Sequence, residues 1–234
     1  MRIILASCLL LGGTMHAGGA DNTTFKSAYA AHDEALDTDS QSIFWQTAPS
    51  VYAEVDDRGR VIPGYRTRIR SRWTNKYLYL LFACPYEDLY LRSSPNVAQE
   101  TNGLWRWDVA ELFIGTDFHN IRRYKEFEVS PQREWTDIDV NLDLPDHTVG
   151  WTWNSGFEVD ARIDSKAKIW YGAMRIPFTA LDRQRPAAGR TFRVNLFRSQ
   201  GPPDRRKSIA WKPPMADTFH VPEKFGILTL VKDK

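Results

Sequence analysis

The chain has 234 residues, 31 basic against 29 acidic, and a formal charge of +2. That balance argues against nucleic-acid binding, which needs a basic surplus to neutralise phosphates. Apolar residues at 42 % and charged residues at 26 % are globular values, and the length suits a single domain able to bury its own core. Aromatic residues are abundant at 13 %, with 9 Trp, 9 Tyr and 12 Phe, a supply that serves cores and ligand surfaces alike.

Residues 1–20 read as a secretory signal: Arg2 is a basic start, Ile3 to Leu11 is almost wholly apolar, and Ala17 to Ala20 supplies small residues for cleavage near 17–20. The apolar run is shorter than the roughly 20 residues that a membrane span needs, so no span is expected. The expected product is secreted or periplasmic. Leu5-Ala6-Ser7-Cys8 also looks like a short lipobox, which leaves lipid anchoring at Cys8 as the alternative to soluble export. Cys84 then remains alone in the mature chain, in an apolar run that predicts a buried thiol. Residues 21–32 are small and polar and are expected to form a flexible leader, with the folded domain at 33–234.

Beyond the leader, period two dominates. Tyr65 to Trp73 alternates, with Arg66, Arg68, Arg70 and Arg72 on one face, where a solvated edge is the expectation. Thr74-Asn75-Lys76 turns that run into Tyr77 to Phe82, which predicts a hairpin. Further strands are predicted at Val109–Ile114, Tyr124–Val129, Thr136–Asn141, Phe157–Ile163, Lys168–Ile176, Thr191–Arg198 and Gly226–Val231, and one helical turn at Pro177–Leu181. Regularly spaced short strands imply an all-β fold, an antiparallel jelly-roll or immunoglobulin-like β-sandwich in a single domain.

Chemistry is sparse in the pattern. There is no nucleophile elbow, phosphate loop or dinucleotide fingerprint; the carboxylate pairs are Asp108 with Glu111, Glu126 with Glu128 and Asp137 with Asp139, the last two of which sit two residues apart and are expected on solvated strand faces, so no catalytic residue is assigned. His32, His119, His147 and His220 lack zinc spacing. Metal content is left open, with calcium the candidate at Asp37-Thr38-Asp39 and Asp137-Ile138-Asp139. The tryptophans say more. A sugar face stacks on an aromatic ring while its hydroxyls want carboxylates, amides and guanidinium groups beside it. Trp105-Arg106-Trp107-Asp108-Val109-Ala110-Glu111 supplies this mixture, and Asn195-Leu196-Phe197-Arg198 and Trp211 offer a second contribution. Trp45, Trp73 and Trp170 sit in or beside apolar runs and are expected in the core.

In chain order, Trp45-Gln46-Thr47-Ala48, Arg72 to Leu80, Trp107 to Ile114, Tyr124 to Pro131, Met174 to Phe178, Val194 to Arg198 and Phe225 to Leu228 resemble the family 9 carbohydrate-binding modules and their DOMON-like sandwich relatives. The resemblance spans about Ala35 to Val231. It implies a non-catalytic sandwich that binds an oligosaccharide or polysaccharide, with a glycoside hydrolase as the natural kind of partner. Carried over, it makes Trp105 or Trp107 one stacking platform, Trp211 the opposing ring, Glu111 an acceptor from sugar hydroxyls, and Asn195 and Arg198 polar neighbours. It implies no cofactor. Two alternatives stay open: a haem-binding electron-transfer domain of the same superfamily, with Met174, Met215 and His220 as available axial ligands, and an interaction module with no small ligand.

Overall fold

A computed structural model describes residues 24–232; the expected signal segment and Cys8 lie outside them. The described residues form twelve strands in one hydrogen-bonded sheet. They are β1 (Thr24–Tyr29), β2 (Ser50–Ala53), β3 (Thr67–Trp73), β4 (Tyr77–Pro85), β5 (Val109–Gly115), β6 (Arg123–Val129), β7 (Trp135–Asn141), β8 (Glu158–Asp164), β9 (Ile169–Pro177), β10 (Thr191–Gln200), β11 (Lys207–Ala210) and β12 (Gly226–Val231). Two single-turn helices, α1 (Ile43–Gln46) and α2 (Phe178–Leu181), complete the regular structure together with short 3-10 turns.

The strand order is β7-β6-β5-β10-β12-β1-β3-β4-β9-β8, with β11 on β10 and β2 on β3. The path folds over on itself. Phe127, Leu112, Leu196 and Leu228 from one half meet Ile69, Leu80, Phe82, Trp170 and Met174 from the other in a single core, and β6 also lies against β8 and β9 at the far margin. The result is the expected all-β sandwich, close to a closed barrel. Every predicted strand is present, the hairpin turns at Thr74 to Lys76, and Trp45, Trp73 and Trp170 are buried.

The sequence pattern missed β1, β2 and β11. In place of a loose leader, Thr24–Tyr29 pairs in parallel with both β12 and β3, joins the two layers and buries Phe25 completely. β2 and β11 have four residues each, too few for a period to show. The arginine ladder is also less solvated than its alternation suggests. Arg70 is buried and donates to the Ser40 carbonyl at 2.8 Å, Arg72 reaches the Phe44 carbonyl and the Thr47 hydroxyl, and Arg68 reaches Ser50 Oγ at 3.1 Å. Residues 40–50 thus lie over this face and accept from Arg68, Arg70 and Arg72, while Arg66 stays largely exposed and pairs with Glu54. Cys84 is buried, and burial pushes its thiol up to about 12, which leaves it inert as a nucleophile.

One consequence of this topology places the site. All seven residues of β5 are buried, so the sheet is covered on both faces. Ala110, Leu112 and Ile114 face the core, while Glu111 and Phe113 point to the outer face, beneath loops rather than water.

Candidate functional site

The outer face carries a cavity of about 360 Å³, lined among others by Trp105, Glu111, Glu126, Arg206, Phe219 and His220. Its floor is made by strand register. Glu111 on β5 stands directly opposite Glu128 on β6, and Glu126 shares their face two residues along. Ser199, on β10, donates to Glu111 at 3.0 Å. The expected solvated faces are therefore corrected for Glu126, Glu128 and Asp137, all buried, while Asp139 is exposed; the loops carrying His147 and His220 lie over Glu126. Burial and the neighbouring carboxylates push Glu111 up to about 8, burial pushes Glu126 up to about 7, and Glu128, facing both, is raised as well.

The wall with Trp105 is built on a 3-10 turn, Leu104–Arg106, entered through Gly103 at φ 76°, a conformation that favours glycine. Arg206 fastens this turn: its guanidinium donates to the carbonyls of Trp105, Arg106 at 3.1 Å, Trp107 at 2.7 Å and Gly201 at 2.9 Å. Opposite in sequence, Phe219 stacks on Phe197 with ring centroids 4.1 Å apart and planes at 6°. His220 Nδ1 is hydrogen-bonded to the Tyr124 hydroxyl at 2.6 Å, and its Nε2 lies 3.0 Å from His147 Nε2 and 4.0 Å from Glu126 Oε2. Burial, with His147 nearby, pushes His220 down to about 3, so the imidazole is neutral at ordinary pH.

His147 is delivered by a turn whose glycine has no room for a side chain. A Cβ on Gly150 would sit 2.2 Å from the Asp139 carbonyl oxygen and 2.8 Å from its carbon. Gly150→Ala is expected to lift this turn, break the His147–His220 contact and weaken ligand binding about tenfold or more, since ångström-scale misplacement is costly in a site. Side-chain histidine NMR would report the lost contact directly.

Of the residues singled out in the sequence, the structure brings Trp105 and Glu111 to the cavity. Trp107 is half-buried beside it, under Arg92 at 5.6 Å, and is held by its carbonyl. Asn195 is fully buried; it receives the Lys212 N–H on its Oδ1 at 3.1 Å and donates from Nδ2 to the Lys212 carbonyl at 2.9 Å. Arg198 faces the core, donating to Thr67 Oγ1, the Pro85 carbonyl and Gln200. Trp211 is 3 % exposed and packs in the core, 6.2 Å from Phe25 and hard against Gly226. Glu126 and Glu128 were singled out only as a carboxylate pair, and Arg206 and Phe219 not at all; the shared parity of Glu126 and Glu128 was the available signal. Of the haem ligands considered, Met174 is in the core, Met215 is 51 % exposed and His220 is in the cavity. In the acidic pairs considered for calcium, Asp37 and Asp39 accept backbone N–H bonds within their own turn, Asp137 accepts from Ser155 N at 2.6 Å, and Asp139 pairs with Lys125 at 2.6 Å.

The described residues thus form an all-β sandwich with an acidic, aromatic-walled cavity on its outer face. Residues 36–233 match the carbohydrate family 9 binding domain-like family, and the chain belongs to it. It is 27 % identical over 183 residues, 72 % of this chain and 80 % of the relative, to an extracellular protein of Arthroderma benhamiae. It is 23 % identical over 224 residues to endo-1,4-beta-xylanase A of Thermotoga maritima; that match covers 94 % of this chain but only 19 % of the xylanase. In three dimensions it is similar to a family 9 carbohydrate-binding module from Caldicellulosiruptor kristjanssonii in complex with cellotriose, with TM-score 0.63, 12 % identity, and 90 % and 95 % of the two chains covered. No helix among the described residues is long and apolar enough to cross a membrane.

Proposed function

We propose that the protein is an exported, non-catalytic carbohydrate-binding module that takes a sugar ring or chain end into the outer-face cavity. The observation that carries this reading is the cavity itself, in which Trp105 and Phe219 offer aromatic surface while Glu111, Glu126, Ser199 and Arg206 offer polar groups. Its volume of about 360 Å³ stands at the small end of the roughly 300–1,000 Å³ of ligand pockets. Export is supported by the apolar start of the chain and by the extracellular relative.

Isothermal titration with cellotriose, glucose, xylo-oligosaccharides and other plant, fungal and bacterial oligosaccharides tests the reading. Saturable binding to one sugar class, between about millimolar and micromolar, is the expected result for stacking on one or two rings. Trp105→Ala should weaken it about tenfold or more with little change in melting temperature, because stacking contributes about 0.5–1.5 kcal/mol beyond the apolar area that the ring buries. A folded protein with no saturable response to any sugar, or with full affinity in both Trp105→Ala and Phe219→Ala, would reject the proposal.

A further inference from the structure

We propose that Glu111, Glu126 and Glu128 form a divalent-metal site at the floor of the cavity. One oxygen from each of these buried side chains lies within 4.8 Å of the others. Metal–oxygen bonds of about 2.0–2.6 Å place any two ligands of one ion no more than about 5 Å apart, so the cluster has the dimensions of a coordination shell.

A buried acid cluster alone would not point to an ion; the state of its oxygens does. Both oxygens of Glu128 and Oε2 of Glu126 receive no hydrogen bond from a backbone N–H or from another kind of side chain, and the two carboxyls lie within hydrogen-bond reach of one another. Elsewhere the buried acids accept at least one hydrogen bond; Asp137, whose Oδ1 also lacks a partner, accepts from Ser155 N through Oδ2. Asp108 accepts from Tyr90 N, Gly201 N and Gln200 Nε2, and Glu134 accepts from Arg92 and Asn96 N. Buried carboxylates left without donors cost several kcal/mol each unless they are protonated or meet a cation. The nearby guanidinium favours the charged forms of Glu111 and Glu128 through its charge, but both terminal nitrogens of Arg206 donate to the carbonyls of residues 105, 106, 107 and 201.

The chemical class follows from the neighbours. His220 is hydrogen-bonded through Nδ1 to Tyr124 and through Nε2 to His147 at 3.0 Å, with Nε2 4.0 Å from Glu126 Oε2, so a pair of imidazoles stands beside the cluster. Three carboxylates with an imidazole at hand suit ions that accept oxygen and nitrogen alike, Mn²⁺ or Zn²⁺, over Mg²⁺ and Ca²⁺. The ion would then stand in the wall of the sugar cavity; that link rests on the proposed function, while the metal site itself does not.

The test is calorimetric titration of the EDTA-dialysed protein with Mn²⁺, Zn²⁺, Mg²⁺ and Ca²⁺ in turn, followed by cellotriose with and without the preferred ion. One equivalent of Mn²⁺ or Zn²⁺ should bind and raise the melting temperature. Glu126→Gln and Glu128→Gln keep shape and remove charge, so both should stay folded by circular dichroism and lose about 100-fold or more in metal affinity. Absence of saturable binding by all four ions, or undiminished binding in Glu128→Gln, overturns the proposal. Preference for Ca²⁺ or Mg²⁺ overturns the role given to His220. Sugar binding without metal binding removes this inference and leaves the sugar reading standing; metal binding without sugar binding does the reverse.

Discussion

Trp211→Ala should lower the stability of the fold by about 3–5 kcal/mol, the usual cost of truncating a fully packed aromatic ring. Trp211 is 3 % exposed, lies 6.2 Å from Phe25 of β1, and presses its ring against Gly226 at the start of β12. The cavity left behind would open beside the place where β12 hands over to β1, which joins the layers. In urea denaturation the midpoint should move down with the slope unchanged, while the folded fraction keeps whatever sugar affinity the wild type has. A variant as stable as wild type but unable to bind sugar would instead make Trp211 a ligand platform. Trp105→Ala is the expected mirror image, since its ring is only half-buried and faces the cavity.

The metal-free protein should lose stability as pH rises through neutrality. A carboxyl group whose pKa is higher in the folded than in the unfolded chain holds its proton more tightly when folded, so its contribution is full below about 4.5 and drains away as pH passes the folded value. Those values are about 8 for Glu111 and about 7 for Glu126, with Glu128 raised in the same direction. His220 has the opposite sign. Its folded pKa is depressed to about 3, so it adds stability as pH rises toward 6.5 and offsets part of the loss below that point. Above about pH 6.5 the acids act alone, and the melting temperature should fall by something on the order of 10 °C by about pH 9. Glu128→Gln should flatten this slope and raise the melting temperature at the alkaline end. A bound divalent ion should flatten it too, because it holds the deprotonated form. A melting temperature that is level or rising over this range would mean that the three carboxylates are not confined together as described.

The sandwich was legible because its strands announce themselves. Alternation from Tyr65 to Trp73, the turn at Asn75 and the short β-branched and aromatic runs that follow are local signals, and each became a strand. The site was legible only in part. Trp105 and Glu111 belong to one stretch of chain, so their company is local. Asn195 and Arg198 are three residues apart on β10 and therefore point to opposite faces; strand parity alone could have separated them. Trp211 stands before Lys212-Pro213-Pro214, a loop-like flank that suggests a surface ring, yet its burial is decided by Phe25 and Gly226 at distant points in the sequence. Glu126 reads as solvated because nothing nearby reveals that the turns bearing His147 and His220 settle over it.

The parallel pairing of β1 with β12, from Thr24 beside Ile227 to Ala28 beside Val231, ties completion of the fold to the synthesis of β12. A nascent chain presents β1 first, yet the strand that must flank it is the last of the described strands to be made. The hairpin of β3 and β4 can form early, whereas joining the layers has to wait for that most distant partner. Such non-local closure slows folding and keeps the growing chain in an open, threadable state. Loss of β12 would correspondingly strip a partner from both β1 and β10, so deleting this one strand should expose two adhesive edges at once.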